Sequence, residues 1–190
     1  MLAEKVVNTI VLSDYQVTLT PVTLADQPLI RTWRNRDDIR AQMLSQDIIS
    51  EEQQHAWFQR MQYDPKQLHW MVSFREQPIG VTNVKSLQTG KSIFDAEILE
   101  PGLYIGEPRY QGNLIAFAPT LAMYDYCFDA LGTTCFRAVV KQTNQAALSY
   151  NQKLGYAVTK QGEYCELELT QADYQQHTAP IKQFLSRHRK

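Results

Sequence analysis

The segment Gly102-Leu-Tyr-Ile105 has the composition of a strand and leads through Gly106-Glu-Pro-Arg-Tyr110 into Gln111-Gly-Asn-Leu-Ile-Ala116 and a long apolar stretch. A strand that ends in a glycine-bearing turn and continues as a helix aims several backbone N–H groups at one point, which is a way to hold a phosphate. Gln111, Gly112, Asn113, Leu114, Ile115 and Ala116 are therefore candidate contacts for a phosphorylated cofactor. Taken alone, a Gly-Asn pair after a strand is also an ordinary turn signal. Two residues before Gly102 stands Glu100, which shares strand parity with Phe94, Ala96 and Ile98. That parity puts it on the more apolar side, where desolvation makes a carboxylate a better proton acceptor. The alternative is a solvated or ion-paired strand glutamate. Glu97, with Asp95 on the other face, reads as solvent-facing.

The elements that must position these groups are legible as patterns. Tyr15 to Thr23 alternates like a strand, and Leu24 to Arg40 reads as a helix with Leu29, Ile30 and Trp33 on one face. Ser50-Glu-Glu-Gln53 is a capping box opening a helix with Trp57, Phe58 and Met61. His69–Phe74 and Ile79–Val84 read as strands joined around Arg75–Pro78, and Ser92–Ile105 as a third long strand interrupted at Pro101-Gly102. Asn113 to Leu131 is apolar at helical spacing, with Gly132 as its stop and Pro119 predicting a late start or a kink. Cys135–Val140 reads as a strand, Gln145–Leu154 as a helix and Tyr164–Leu169 as an alternating strand. Thr170 with Asp173 caps a last helix broken at Pro180. The order predicts an α+β domain in which a crossover helix joins two central strands that lie parallel.

Composition excludes several functions. The chain has 190 residues, 44% of them hydrophobic, and a net charge of −1. That fits one domain with a full core and argues against a nucleic acid partner held through phosphates. The basic tail Arg187-His-Arg-Lys190 reads as a solvated helix end. The three cysteines are widely spaced and none forms a C-x-x-C pair, which fits a reducing compartment. No cluster has zinc-like spacing, so no metal is expected. Met1 to Leu12 contains Glu4, Lys5 and Asn8, which argues against a signal peptide or membrane span. A soluble cytoplasmic protein is the expectation.

Together, the element order, the Gln111–Ala116 turn and the Asn144…Leu154-Gly155-Tyr156 helix resemble the GNAT family of acetyl-CoA-dependent N-acetyltransferases, over about residues 15–170. The C-terminal helix 171–188 follows. The resemblance implies a GNAT-like fold with a splayed parallel strand pair, acetyl-CoA as cosubstrate and a small-molecule amine as acceptor. A homodimer is common among such proteins. The family turn R/Q-x-x-G-x-G/A matches Gln111, Leu114 and Ala116. The middle glycine is replaced by Leu114, which keeps the amide but not the freedom of close approach. The resemblance further implies cofactor contacts at Leu103, Tyr104 and Ile105 and a pantetheine contact at Asn144, which is equally a good helix N-cap. It implies Glu100 as a base acting through water. In the pattern N-x-x-A-x-x-x-Y counted from Asn144, Ala147 fits, but the tyrosine position holds Asn151 and the tyrosine stands one earlier, at Tyr150. One residue on a helix is a rotation of about 100°. Either a local irregularity brings the Tyr150 hydroxyl to the thiol, or Asn151 hydrogen-bonds the sulfur region and water supplies the proton.

The acceptor is read from the first sixty residues. Trp33-Arg34-Asn35, Met43, Ile49-Ser-Glu-Glu52 and Trp57-Phe58 resemble the branch that acetylates amino groups on nucleotide-linked sugars, of the pseudaminic acid pathway type. Ribosomal-protein and polyamine acetyltransferases share part of the pattern. Arg34 suits a diphosphate and Trp33 a stacked base or sugar. The plain alternative makes Trp33 core and Arg34 a structural ion-pair partner. Where that branch carries a histidine this chain has Gln54, with His55 beside it, and Lys91 is a loop cation and candidate phosphate contact. A non-catalytic module that binds acyl-CoA is the more distant reading, motivated by Leu114 and Asn151.

Overall fold

The computed structural model describes residues 9–187. The opening residues 1–8 and the end of the basic tail lie outside the described residues. One eight-stranded sheet runs through the molecule in the order β1-β2-β3-β4-β5-β6-β8-β7. Its strands are β1 (Leu12–Asp14), β2 (Val17–Pro21), β3 (Gln67–Phe74), β4 (Gln77–Ser86), β5 (Ile98–Ile105), β6 (Cys135–Lys141), β7 (Ala157–Lys160) and β8 (Tyr164–Thr170). Among the described residues only β5 and β6 run parallel, and every other neighbouring pair is antiparallel. The crossover between them contains α4 (Ala118–Ala130), as the element order requires.

The remaining helices are α1 (Gln27–Asn35), α2 (Asp37–Arg40), α3 (Glu51–Met61), α5 (Gln145–Leu154) and α6 (Gln171–Ser186). They divide between the two faces. One face packs on α4 and α6 through a core containing Leu19, Trp70, Val84, Leu99, Leu121, Phe136 and Tyr174. The other carries a smaller cluster of Val22, Ile30, Trp33, Ile39, Phe58, Met71 and Val81, with Tyr104 packed against it. The capping box at Ser50 is present, with Ser50 Oγ accepting from the Gln53 N–H at 3.2 Å.

Several expectations are corrected. The single helix over Leu24–Arg40 is three pieces: a 3₁₀ turn at Leu24–Asp26, then α1, then α2 after Arg36 takes extended backbone at ψ 137°. The long strand from Ser92 is only β5. Residues 92–97 turn instead, with Ser92 Oγ bonded to Asp95 and the Ile93 N–H donating to Pro65 O at 2.8 Å, so Ile93 and Ala96 are buried at a spacing of three. Pro101-Gly102 does not interrupt β5, whose pairing to β4 runs unshifted from Gly80↔Ile105 to Ser86↔Leu99. Pro180 does not break α6, because it sits on the exposed face, where the carbonyl it frees can meet water. Tyr174, Thr178, Ile181 and Leu185 hold the other face to the core. Strand β7 escapes the alternation rule because all four residues are exposed at the sheet edge. The late helix start does occur: a 3₁₀ turn at Leu114–Phe117 precedes α4, and Pro119 falls within its first two positions.

Candidate active site

Strands β5 and β6 pair at only two positions, Ile98↔Cys135 and Leu99↔Phe136, and then diverge while each continues for several residues. A cavity of about 1300 Å³ opens in the splay, walled by β5, β6, the turn before α4, α5 and the segment from α1 to α3. Pro101, just past the last parallel pair, has no N–H to offer a neighbouring strand there.

The turn before α4 has the expected form. Gly112 takes a left-handed φ of +67°, which is why glycine stands there. Asn113 caps the following 3₁₀ turn, its Oδ1 accepting from the Ile115 N–H at 3.2 Å. The N–H groups of Gln111, Asn113 and Ala116 bond to Pro108, Tyr110 and Asn113 carbonyls. Those of Gly112 and Leu114 have no acceptor among the described residues. Gln111, Gly112, Asn113 and Ala116 line the cavity; Leu114 and Ile115 do not. The Leu114 side chain is 37% exposed outside that wall and does not seal it, while Ile115 packs inward.

Across the splay, α5 presents Asn144, Ala147, Tyr150 and Asn151 to the cavity. Asn144 caps the helix, its Oδ1 accepting from the Ala147 N–H at 3.1 Å. The helix is regular, with no irregularity to turn Tyr150 toward the Asn151 direction. The Tyr150 hydroxyl donates to Ala116 O at 3.1 Å and pairs with Thr120 Oγ1 at 2.7 Å, and its ring stacks on Phe117 at 4.4 Å. Burial pushes this phenol well above its ordinary range. Asn151 Nδ2 folds back onto Ala147 O at 3.0 Å, leaving its Oδ1 without an intramolecular donor among the described residues.

On β5, Leu103, Tyr104 and Ile105 line the cavity beside Glu100. Glu100 lies on the face with the smaller cluster, since the fully buried neighbour is Leu99 on the opposite face and Phe94 is 47% exposed. The expected apolar surroundings are therefore replaced by an ion pair: Lys85 Nζ stands 2.6 Å from Glu100 Oε1. Strand register explains this, because Gln67↔Lys85↔Glu100 form one cross-strand row and His69↔Asn83↔Gly102 the next. A Cβ on Gly102 would stand 2.3 Å from Asn83 Oδ1, so the glycine makes room for the Asn83 carboxamide. His69 sits edge-on to Trp57 at 5.1 Å, and burial lowers its imidazole to about 4. The Tyr104 hydroxyl is buried with no hydrogen-bond partner among the described residues.

The residues expected on the acceptor side separate. Arg34 lines the cavity and makes no ion pair or hydrogen bond with a described residue. Trp33 does not line it: the indole is 6% exposed, packs edge-on to Tyr104 at 6.5 Å and lies over Gly106. Asn35 exchanges two hydrogen bonds of 2.8 Å with the Ile49 backbone and anchors the loop after α2. His55 is exposed and bonded to Gln59, whereas Gln54 is buried, donates to Gln27 Oε1 at 2.6 Å and lines the cavity. Lys91 lies in the 87–97 turns, away from the cavity wall. Sequence reasoning named Trp57 only within the acceptor pattern and missed His69, Asn83, Lys85 and Arg60 as wall residues, and Asp38 beside Gln111. Only the cross-strand register and the helix packing bring them together, and neither is a local pattern. The Arg36 guanidinium holds the Asp38 carboxyl well below the usual carboxylate range.

No helix among the described residues is long and apolar enough to cross a membrane. Comparison with curated proteins yields no match. Among solved structures, an uncharacterized protein from Bacillus halodurans superposes with a TM-score of 0.79 at 15% identity, covering 96% of this chain and 100% of that one. Spermidine N-acetyltransferase from Vibrio cholerae, solved with CoA and spermine, gives 0.73 at 17% identity, covering 85% and 99%. The Campylobacter jejuni N-acetyltransferase PseH, solved with acetyl coenzyme A, gives 0.62 at 20% identity, covering 82% and 99%. These likenesses establish the fold. The sequence profile of the acetyltransferase (GNAT) domain matches residues 16–157, three quarters of the chain, and the protein belongs to that family of acyltransferases.

Proposed function

We propose that the protein transfers an acetyl group from acetyl-CoA to the primary amine of a nucleotide-linked amino sugar, directly and within a ternary complex. The free Gly112 and Leu114 amides receive the cofactor diphosphate, and the thioester arm runs between β5 and α5 past Leu103–Ile105 and Asn144. The amine nitrogen attacks the thioester carbonyl carbon, the C–S bond breaks, and the amine proton passes through water to Glu100, whose carboxylate Lys85 holds in place. The thiolate takes its proton from water held near Asn151 Oδ1. Tyr150 is a poor donor for that step, since its proton is engaged by Ala116 O and burial strengthens its hold on it.

The acceptor class rests on charge. Arg34, Arg60, Lys85, Lys141 and Lys153 outnumber Asp38, Asp47 and Glu100 along the cavity, and two of those carboxylates already have cation partners. An unpaired Arg34 beside the Tyr104 hydroxyl suits a phosphate and repels a polycation. Trp33, being core, plays no stacking role. A thiol-release assay over an amine panel, run with thermal shift by acetyl-CoA, tests the reading. A UDP-linked amino sugar is expected to release thiol where spermidine does not, and Arg34→Ala to raise its KM about tenfold or more with little change in kcat. Turnover with spermidine alone would transfer the protein to the polyamine class. Stabilisation by acetyl-CoA without release for any amine would make it a binding module.

A further inference from the structure

Side chains tie the segment after α1 to the turn after β5. Arg36 donates through Nη1 to the Gly106 carbonyl at 2.6 Å, and through Nε and Nη2 to the two carboxylate oxygens of Asp38, each at 2.6 Å. Asp38 Oδ2 also faces Gln111 Nε2 at 3.3 Å, and the same nitrogen donates to Ile105 O at 2.8 Å. Both hydrogens of the Gln111 carboxamide are thus engaged, one on the end of β5 and one on α2. Gln111 opens the turn that carries the free Gly112 and Leu114 amides, so its side chain serves as an anchor and not as a phosphate donor. The other end of α2 leads at Ala41 into the loop whose far end, Ile49, is gripped by Asn35. Met43, Leu44 and Ile48 of that loop line the acceptor half of the cavity.

We propose that Asp38 is a positioning residue: backed by Arg36, it fixes Gln111 and hence the diphosphate turn, and it couples cofactor binding to the acceptor loop 41–49. This rests on the reading of the turn as the diphosphate site. A carboxylate beside an anion site opposes the anion by charge alone, so a purely electrostatic role and a positioning role predict opposite signs on its removal. Coupling through α2 is reciprocal by linkage, so the cofactor orders the loop to the degree that the loop favours the cofactor.

Calorimetric titration with CoA, together with hydrogen exchange over residues 41–49 with and without CoA, tests the inference on the wild type, Asp38→Ala and Asp38→Asn. Asp38→Ala is expected to weaken CoA about tenfold, and Asp38→Asn, which retains an oxygen for Gln111, less than about threefold. CoA is expected to slow exchange across 41–49 in the wild type but not in CoA-saturated Asp38→Ala. Equal or tighter CoA binding by Asp38→Ala, or equal slowing in both proteins, overturns the proposal. Should Asp38→Ala fail to fold, Gln111→Leu carries the same test: a tenfold loss supports the anchor and unchanged affinity removes it. A wild type that does not bind CoA would sink the diphosphate assignment together with this inference, whereas wild-type binding with an unaffected Asp38→Ala would remove only the role of Asp38.

Discussion

Gly106 directly follows β5 and lies against the Trp33 indole, and replacing it by alanine gives a perturbation whose size can be worked from the contact. The added Cβ would lie 2.0 Å from Trp33 Cδ2 and 2.4 Å from Cγ and Cε2, whereas ordinary contact begins at 3.4 Å, so the ring must retreat by about 1.4 Å. The indole is buried among Ile30, Ile39 and Tyr104, and a close-packed cluster has no such space to yield. Overpacking of this kind costs about 1–3 kcal/mol, and this site belongs near the top of that range. The loss of unfolded-state freedom on changing Gly to Ala returns about 0.4–1 kcal/mol, leaving a net destabilisation of about 2 kcal/mol. For a chain of this size that lowers Tm by about 4–8 °C. Thermal unfolding of Gly106→Ala, Trp33→Leu and the double variant measures it. Trp33→Leu alone costs about 3 kcal/mol, and the double variant should fall short of the sum by about 2 kcal/mol, because the smaller side chain removes the clash. A Gly106→Ala protein that melts with the wild type, or strict additivity, would refute the packing argument.

Three further outcomes are expected. Desolvation, with Asp64 opposing and Lys85 adding to it, lowers the His69 imidazole from 6.5 to about 4, so between those values the unfolded chain binds the extra proton. Stability therefore falls as pH drops from 6.5 toward 4, by up to about 3 kcal/mol, with the penalty complete below 4 and absent above 6.5; denaturant titrations of the wild type and His69→Gln should diverge over that window. Tyr150→Phe should retain acetyl transfer within about threefold while losing about 1–2 kcal/mol of stability, since Thr120 Oγ1 and Ala116 O lose their partner. Glu100→Gln, by contrast, should lower kcat by about a hundredfold in the same assay.

Local chemistry carried much of this molecule. The capping box at Ser50, the N-caps at Asn144 and Thr170, the Pro119 delay of α4 and the αL stop at Gly132 all follow from side chains and backbone within a few residues of one another. So does the glycine-bearing turn at 111–116, because a left-handed φ at Gly112 needs no distant partner. Where the local rule spoke against the structure, a tertiary contact overrode it. Buried residues on one side carry α6 through Pro180, and Arg36 is drawn out of a helix by Gly106 O and Asp38.

The sequence by itself determined the order of most of the elements, the glycine-bearing turn before α4 and the carboxylate on β5, since each is written in neighbouring residues and in the period of the apolar positions. Tertiary structure alone decided which groups face that carboxylate and one another. Lys85 meets Glu100 through strand register, Trp33 is withdrawn into the core by Gly106, and Asp38 reaches Gln111 across 73 positions of chain. Side chains that far apart are brought within hydrogen-bond reach only by the packing of helices on a twisted sheet, which no window along the chain contains.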